Sequence, residues 1–421
     1  MRLVVFGPAH PFRGGIAQTT SRLASELVIA GNEVRFLTAR SQYPRWLYPG
    51  RDDVDPQACE ALDWAEPVID PWKPWSWPAA RASALASPAD VWILPFWTWA
   101  WSGWWRHLLR GEGHPPVVAI VHNPQDHDAG MLRRVAARTV LERCEGLFTH
   151  AEYLARTLRD QYPWARIGWH LLPAVGHAPV SDREAARVNV GVSDRERLAV
   201  FWGLIRPYKG VGLLLEAFAR LPEDSSWRLI VAGEPWGGSG AELEAAVSRL
   251  RLSSKVRLEL GWVREDRIGD LLGAADLVVL PYRSGSQSAV APRALAAGVP
   301  VLTTRVGGLP ELVRDDVDGI VVEPGSVTGL AEAIASLDDA RLGRLRQGAI
   351  DGAGRVGWSG YADAVARLAA RVVGRPDHDE RPDMERPAGV GGPWISDEQM
   401  RISERGCGSA PPPARGSARR A

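Results

Sequence analysis

Two rhythms alternate along this chain. Short apolar runs end at a glycine or a polar turn: RLVVFGP, EVRFLTA, ADVWILPF, PPVVAIVHN and GLFT in the first half, then RLAVFWGL, WRLIVAGE, KVRLELGW, ADLVVLPY, PVLTT and GIVVEP in the second. Nearly continuous apolar runs of that length are typical of strands buried on both faces of a parallel sheet. Between them apolar positions recur at helical spacing, as in Leu23, Leu27 and Val28 ahead of Gly31, in GVGLLLEAFARL, in GAELEAAVSRLRL and in the closing GYADAVARLAARVV. Such alternation predicts an α/β fold with parallel sheets. The rhythm restarts after a polar stretch around residues 176–196, which predicts two doubly wound units, 1–180 and 181–372, the second including the terminal helix. A chain of 421 residues exceeds what one core usually serves. Two open sheets in tandem place a cleft at the carboxyl ends of their strands, where such sheets bind ligands. Residues 373–421 hold seven prolines and no apolar run, which predicts a disordered Pro/Arg-rich tail.

One stretch departs from the ordinary pattern. VWILPFWTWAWSGWW, residues 91–105, contains six tryptophans. Its first part reads as a strand, with Pro95 suggesting a sheet edge or a bulge. Trp97 and Trp99 follow on the loop above it. Trp101, Trp104, Trp105 and Leu108 then fall at i, i+3, i+4 and i+7, one helical stripe. Beside Arg106, His107 and Arg110, that stripe packs on the sheet, lies in a membrane interface or contacts the acceptor directly.

Charge and cysteine content narrow the class. Basic and acidic residues balance at 50 each, which argues against a nucleic-acid partner. Cys59, Cys144 and Cys407 are far apart and match no metal spacing, as expected for a cytoplasmic protein without a disulfide framework. The first apolar run is too short for a signal peptide, and no run reaches the roughly 18 residues of a membrane span. Of the 50 basic residues only Lys73, Lys209 and Lys255 are lysine, so arginine is the default cation and each lysine stands out.

Lys209 lies three residues after Arg206, between the strand RLAVFWGL and the next helix. Two cations beside a helix N-terminus can grip a diphosphate; otherwise they are two solvated loop charges. His122 ends the strand VVAIV, at the cleft end of its sheet, where a neutral imidazole can hydrogen-bond a ligand or take a proton. Asp126 and His127 follow in the same loop, and His150 begins the segment after GLFT, where its first reading is a helix cap.

Taken together, GLIRPYKGVGLLLEAF, LIVAGE and AADLVVLPYRSGSQSAVAPRALAAGVPVLTTRVGGLPELV resemble the donor-binding half of family 4 glycosyltransferases. GGIAQTT and IVHNPQDHD resemble that family's first-domain loops, so the likeness covers roughly residues 1–372. The resemblance implies the GT-B fold, two Rossmann-like domains facing across a cleft. It also implies transfer of a sugar from a nucleotide-sugar donor, with retention, to a glycan or lipid-linked acceptor. The expected setting is surface polysaccharide synthesis at the inner face of the membrane. On this reading His122, Arg206 and Lys209 carry the chemistry, the two cations neutralising charge on the leaving diphosphate. Gly14, Gly15, Glu234, Ser286, Gln287, Ser288 and Glu311 line the donor side, while Trp97, Trp99 and His127 line the acceptor side. No cofactor and no metal ion are expected, since neither Asp52-Asp53 nor Asp315-Asp316 has the context to hold one.

There is one departure. The family carries two glutamates eight positions apart before ALAAGVPV, and here those positions are Gly285 and Arg293. A guanidinium cannot accept a hydrogen bond from a ribose. Arg293 is left to contact phosphate or to point to solvent. The loss keeps two alternatives open: a non-catalytic nucleotide-sugar or glycan-binding relative, and a GT-B nucleotide-sugar epimerase.

Overall fold

A computed structural model describes residues 1–12, 14–43, 62–122, 131–176, 180–236 and 239–374. The expectations for His127, Asp126, Cys59 and the 375–421 tail lie outside these residues. The described chain folds as two parallel sheets with helices on both faces. The first contains β1 (Arg2–Gly7), β2 (Glu33–Ala39), β3 (Ala65–Ile69), β4 (Val91–Phe96), β5 (Val117–Val121), β6 (Gly146–Thr149) and β7 (Arg166–Trp169), in the order β3-β2-β1-β4-β5-β6-β7. The second contains β8 (Arg197–Trp202), β9 (Trp227–Gly233), β10 (Val256–Leu260), β11 (Leu277–Leu280), β12 (Val301–Thr304) and β13 (Gly319–Val322), in the order β10-β9-β8-β11-β12-β13. Both orders reverse direction once, between β1 and β4 and between β8 and β11. These are the switch points where crossover helices leave for opposite faces and open a crevice.

All eleven strands expected from the apolar runs are present. β3 and β7 are additional, and both are edge strands. A strand at an edge buries less of itself and carries a weaker apolar signal, and β3 even tolerates Pro67 there. Pro95, by contrast, is not at an edge. β4 is central, and its pairing with β1 runs only through Val5 and Ile93. Beyond that point the proline ring fills the space beside Gly7, where a Cβ would lie 2.6 Å from its Cγ.

The tryptophan stripe is dry. Trp101, Trp104, Trp105 and Leu108 are at most 1% exposed and belong to one core cluster with β1, β4 and β5. Trp105 and Trp92 meet the ring of Phe6 edge-on, at 6.4 and 5.2 Å between centroids. The membrane-interface reading of this helix is therefore overturned: its apolar face is spent on the sheet. Among the described residues no helix is long and apolar enough to cross a membrane.

The terminal helix, Trp358–Val372, does not complete the second unit as expected. Tyr361, Ala362, Val365, Ala366, Leu368 and Ala369 pack into the core of the first sheet, against β5, β6, β7 and the Gly15–Ile29 helix. The chain thus crosses between the domains twice, and the Trp358 indole nitrogen donates to the Ala174 carbonyl on the outward crossing at 2.7 Å.

Candidate active site

The second switch point collects most of the predicted chemistry. After β8 the chain turns through Gly203, Arg206 and a short 3-10 turn, Pro207–Lys209, into the helix Val211–Ala219. Gly210 makes this turn possible. Its φ of 73° is left-handed, and a Cβ there would lie 2.0 Å from the Pro281 carbonyl oxygen. The loop after β8 is thereby locked against the loop after β11.

Arg206 lays its guanidinium over the Trp236 ring, 4.3 Å from the centroid, and its Nε is buried without a protein acceptor. Lys209 places Nζ 5.6 Å from the centre of the Tyr282 ring. Burial is the main force lowering the Lys209 pKa; the Tyr208 phenol opposes it, and Arg206 adds to the lowering. Among the described residues no carboxylate pairs with either cation. Both fully buried arginines among the described residues do have such partners: Arg35 holds Glu66, and Arg187 holds Asp276. Two unneutralised cations at the N-terminus of a nine-residue helix with no acid in its first turn make a site for an anion.

The other donor-side residues divide. Glu234 follows β9 directly, and its carbonyl accepts from the Ile205 N–H at 2.8 Å, pinning the Arg206 loop. Gln287 lies against the glycine turn at Gly307 and Gly308: a Cβ on Gly308 would be 2.4 Å from the Gln287 Nε2. That nitrogen is buried with no acceptor among the described residues. The Ser286 carbonyl accepts from the Gly308 N–H at 2.9 Å. Ser288 is used internally: its hydroxyl accepts from the Val290 N–H and lies 3.2 Å from the Tyr282 hydroxyl. Gly14, with φ 106°, and Gly15 open the first helix at the other switch point, exposed and with clear space around both α-carbons.

Glu311 has a different role from the donor contact expected. Its two carboxylate oxygens accept from the backbone N–H groups of Glu152 and Tyr153, the second at 2.8 Å. It thus caps a helix of the other domain, Glu152–Gln161. Arg293 also has neither of its expected fates. It pairs with Glu265 at 2.7 Å, and its guanidinium covers Gly176, where a Cβ would clash at 2.5 Å.

On the first domain His122 sits at the carboxyl end of β5, 9% exposed, with burial lowering its pKa to about 4. His150 does not cap the following helix. Its Nε2 lies 3.0 Å from the Nδ1 of His122. Trp97 turns inward rather than lining the acceptor side. It packs 4.7 Å from Trp101, and its indole donates to the Tyr43 hydroxyl. Trp99 stays exposed and carries the Arg133 guanidinium 5.0 Å above its ring. Sequence reasoning missed Trp236 as the platform for Arg206. Nothing in GEPWGG distinguishes it from a turn residue, because the contact forms only when β8 and β9 pair.

Known structures share this architecture. Sucrose-phosphate synthase from Thermosynechococcus elongatus superposes with a TM-score of 0.69 over 89% of this chain and all of its own, at 18% identity. Anabaena HepE, solved in complex with UDP, gives 0.65 over 88% of this chain and all of its own, at 16% identity. The two facing sheets are thus the GT-B fold of glycosyltransferases. Residues 14–174 match the family described as glycosyl transferase 4-like domain, and residues 196–339 match glycosyl transferases group 1. The D-inositol 3-phosphate glycosyltransferase of Mycolicibacterium vanbaalenii is 30% identical over 72% of this chain and 71% of its own length. The protein of that name from Mycobacterium sp. (strain KMS) is 32% identical over 64% of each chain, so this chain spans just under two thirds of that relative. The chain belongs to the family 4 glycosyltransferases.

Proposed function

We propose that this protein transfers a sugar, with retention, from a nucleoside-diphosphate donor to a glycan or lipid-linked acceptor, acting from the cytoplasmic side in surface polysaccharide synthesis. The observation that carries the reading is the unpaired Arg206 and Lys209 at the second switch point. As the glycosidic bond breaks, negative charge grows on the leaving diphosphate, and preorganised cations stabilise that charge where it develops. Gln287 and the N-terminus of the Val211–Ala219 helix add donors to the same anion. With charge neutralised in this way the transfer needs no metal ion, and EDTA should leave the rate unchanged. Arg293 supplies no contact to the nucleotide ribose on this reading, because Glu265 holds it.

The test is release of nucleoside diphosphate from a panel of nucleotide sugars. D-Inositol 3-phosphate, the acceptor for which the relatives are named, is the first soluble acceptor to try. Lys209→Ala removes one charge-assisted contact of about 1.5–3 kcal/mol, so nucleoside diphosphate binding should weaken by about 10- to 100-fold. Unchanged binding would remove the diphosphate from this site. Tight nucleotide binding without turnover of any donor would instead leave a binding module.

A further inference from the structure

The buried pair of histidines carries more than the reaction class. The rings of His122 and His150 meet at the carboxyl ends of β5 and β6, with centroids 4.6 Å apart. His150 is 1% exposed. Its ring stacks on Tyr361 of the terminal helix, at 5.7 Å and an interplanar angle of 19°, and the ring of His170 meets Tyr361 edge-on at 5.9 Å. Among the described residues the ionisable groups in ring contact around the pair are Tyr361 and His170, and the His170 Nδ1 is engaged with the Leu171 carbonyl at 2.8 Å. Burial lowers the pKa of both histidines, that of His122 to about 4, and the rings of His122 and His170 further oppose charge on His150, so both are neutral at pH 7.

Two neutral imidazoles sharing one hydrogen bond have two arrangements. If His122 Nδ1 donates, the single hydrogen of His150 sits on its Nδ1. That atom is sealed from solvent, and no described group accepts from it. A buried N–H without an acceptor is rarer in folded proteins than an unused acceptor. If His150 Nε2 donates instead, its Nδ1 carries only a lone pair, and the hydrogen of His122 sits on Nε2. The His122 Nε2 is the one nitrogen of the pair that is neither hydrogen-bonded nor sealed in.

We propose that His150 is a positioning residue: it donates from Nε2 to the His122 Nδ1 and so fixes His122 as the tautomer that presents an Nε2–H donor at the cleft. A nitrogen that already bears hydrogen cannot take a proton. His122 therefore binds an oxygen of the ligand and does not act as a base towards the acceptor hydroxyl. The identity of that oxygen, on a donor sugar or its phosphate, rests on the function proposed above; the tautomer does not.

Long-range proton–nitrogen correlation spectra of the full chain with 15N-labelled histidine, at neutral pH, read the tautomer directly. Expected is a protonated Nε2 and an unprotonated Nδ1 on His122. A protonated Nδ1 on His122 overturns the proposal, and this wild-type result stands even if a variant fails to fold. His150→Phe should remove the preference and shift both His122 nitrogens towards averaged values, while His150→Gln, which keeps a donor, should restore them. His122 signals unchanged in His150→Phe also overturn it. If transfer is observed, His150→Phe should lower kcat by about tenfold, with nucleotide KM unchanged and recovery in His150→Gln. Absence of turnover with every donor counts against the proposed function and leaves the spectra to decide the tautomer.

Discussion

Arg206 and Lys209 show how much a residue's surroundings add to its type. The Trp236 ring holds the Arg206 guanidinium flat, which fixes the direction of its remaining N–H groups before any ligand arrives. A lysine would keep the charge but lose the planar fork and the stack. Arg206→Lys should therefore weaken nucleoside diphosphate binding by about tenfold, measured by calorimetry, and Trp236→Ala should move affinity the same way. An Arg206→Lys variant that binds like wild type would mean charge alone matters there. The histidine pair makes a separate prediction about stability. Both pKa values are lowered on folding from the ordinary 6.5, that of His122 to about 4. As pH falls through 6.5 the unfolded chain takes up protons first, so the pair's contribution to stability declines from there towards pH 4 and is flat above 6.5. The slope is about 1.4 kcal/mol per pH unit for each histidine. Urea unfolding at pH 7, 6 and 5 should show His150→Phe losing stability less steeply than wild type. Parallel slopes would mean the pair titrates normally.

At the scale of elements, the apolar rhythm was enough to locate every central strand, because a strand buried on both faces announces itself by composition. The edges β3 and β7 escaped for the opposite reason. The cleft residues were legible as positions: Arg206, Lys209, Gln287 and His122 all fall at carboxyl ends of strands that the pattern had already located. The partners of Arg206 and His122 were not legible, since Trp236 and His150 reach them across strands and loops that the order of the sheet brings together. The tryptophan helix was ambiguous by periodicity alone, which gives the width of an apolar face and not what covers it. Its burial makes a testable contrast. The indole nitrogens of Trp104 and Trp105 have no described acceptor, so the rings contribute packing rather than hydrogen bonds. Trp105→Ala should destabilise by about 3–5 kcal/mol in denaturant unfolding. Trp105→Phe should cost much less, because it keeps an aromatic ring and removes an unpaired buried donor. Equal losses would show that the indole N–H is satisfied after all.

For the whole molecule, the question is what sets the relation of the two sheets across the cleft. The polypeptide itself ties them through the linker at Ala174 and Gly176 and again through the Trp358–Val372 helix, and neither tie depends on the cleft being closed. Glu311 is different. It leaves the second domain to cap the helix Glu152–Gln161 of the first, and the Tyr153 hydroxyl reaches back 3.4 Å to the Ser286 carbonyl beside Gln287. Ala151 packs where a Cβ on Gly308 would sit, so the glycine turn that shapes the donor side is also the surface of domain contact. This contact exists only while the domains are together, and it is charge-assisted, worth about 1.5–3 kcal/mol for such a hydrogen bond. Glu311→Ala should leave both sheets folded and shift the population towards separated domains. In small-angle scattering its radius of gyration should exceed that of the wild type, and Glu311→Gln, which retains one acceptor oxygen, should fall between the two. An unchanged radius for the alanine variant would place the closing force elsewhere than in this cap. An increase would mean that the carboxylate read in the sequence as a donor ligand acts instead by holding shut the cleft between the two sheets.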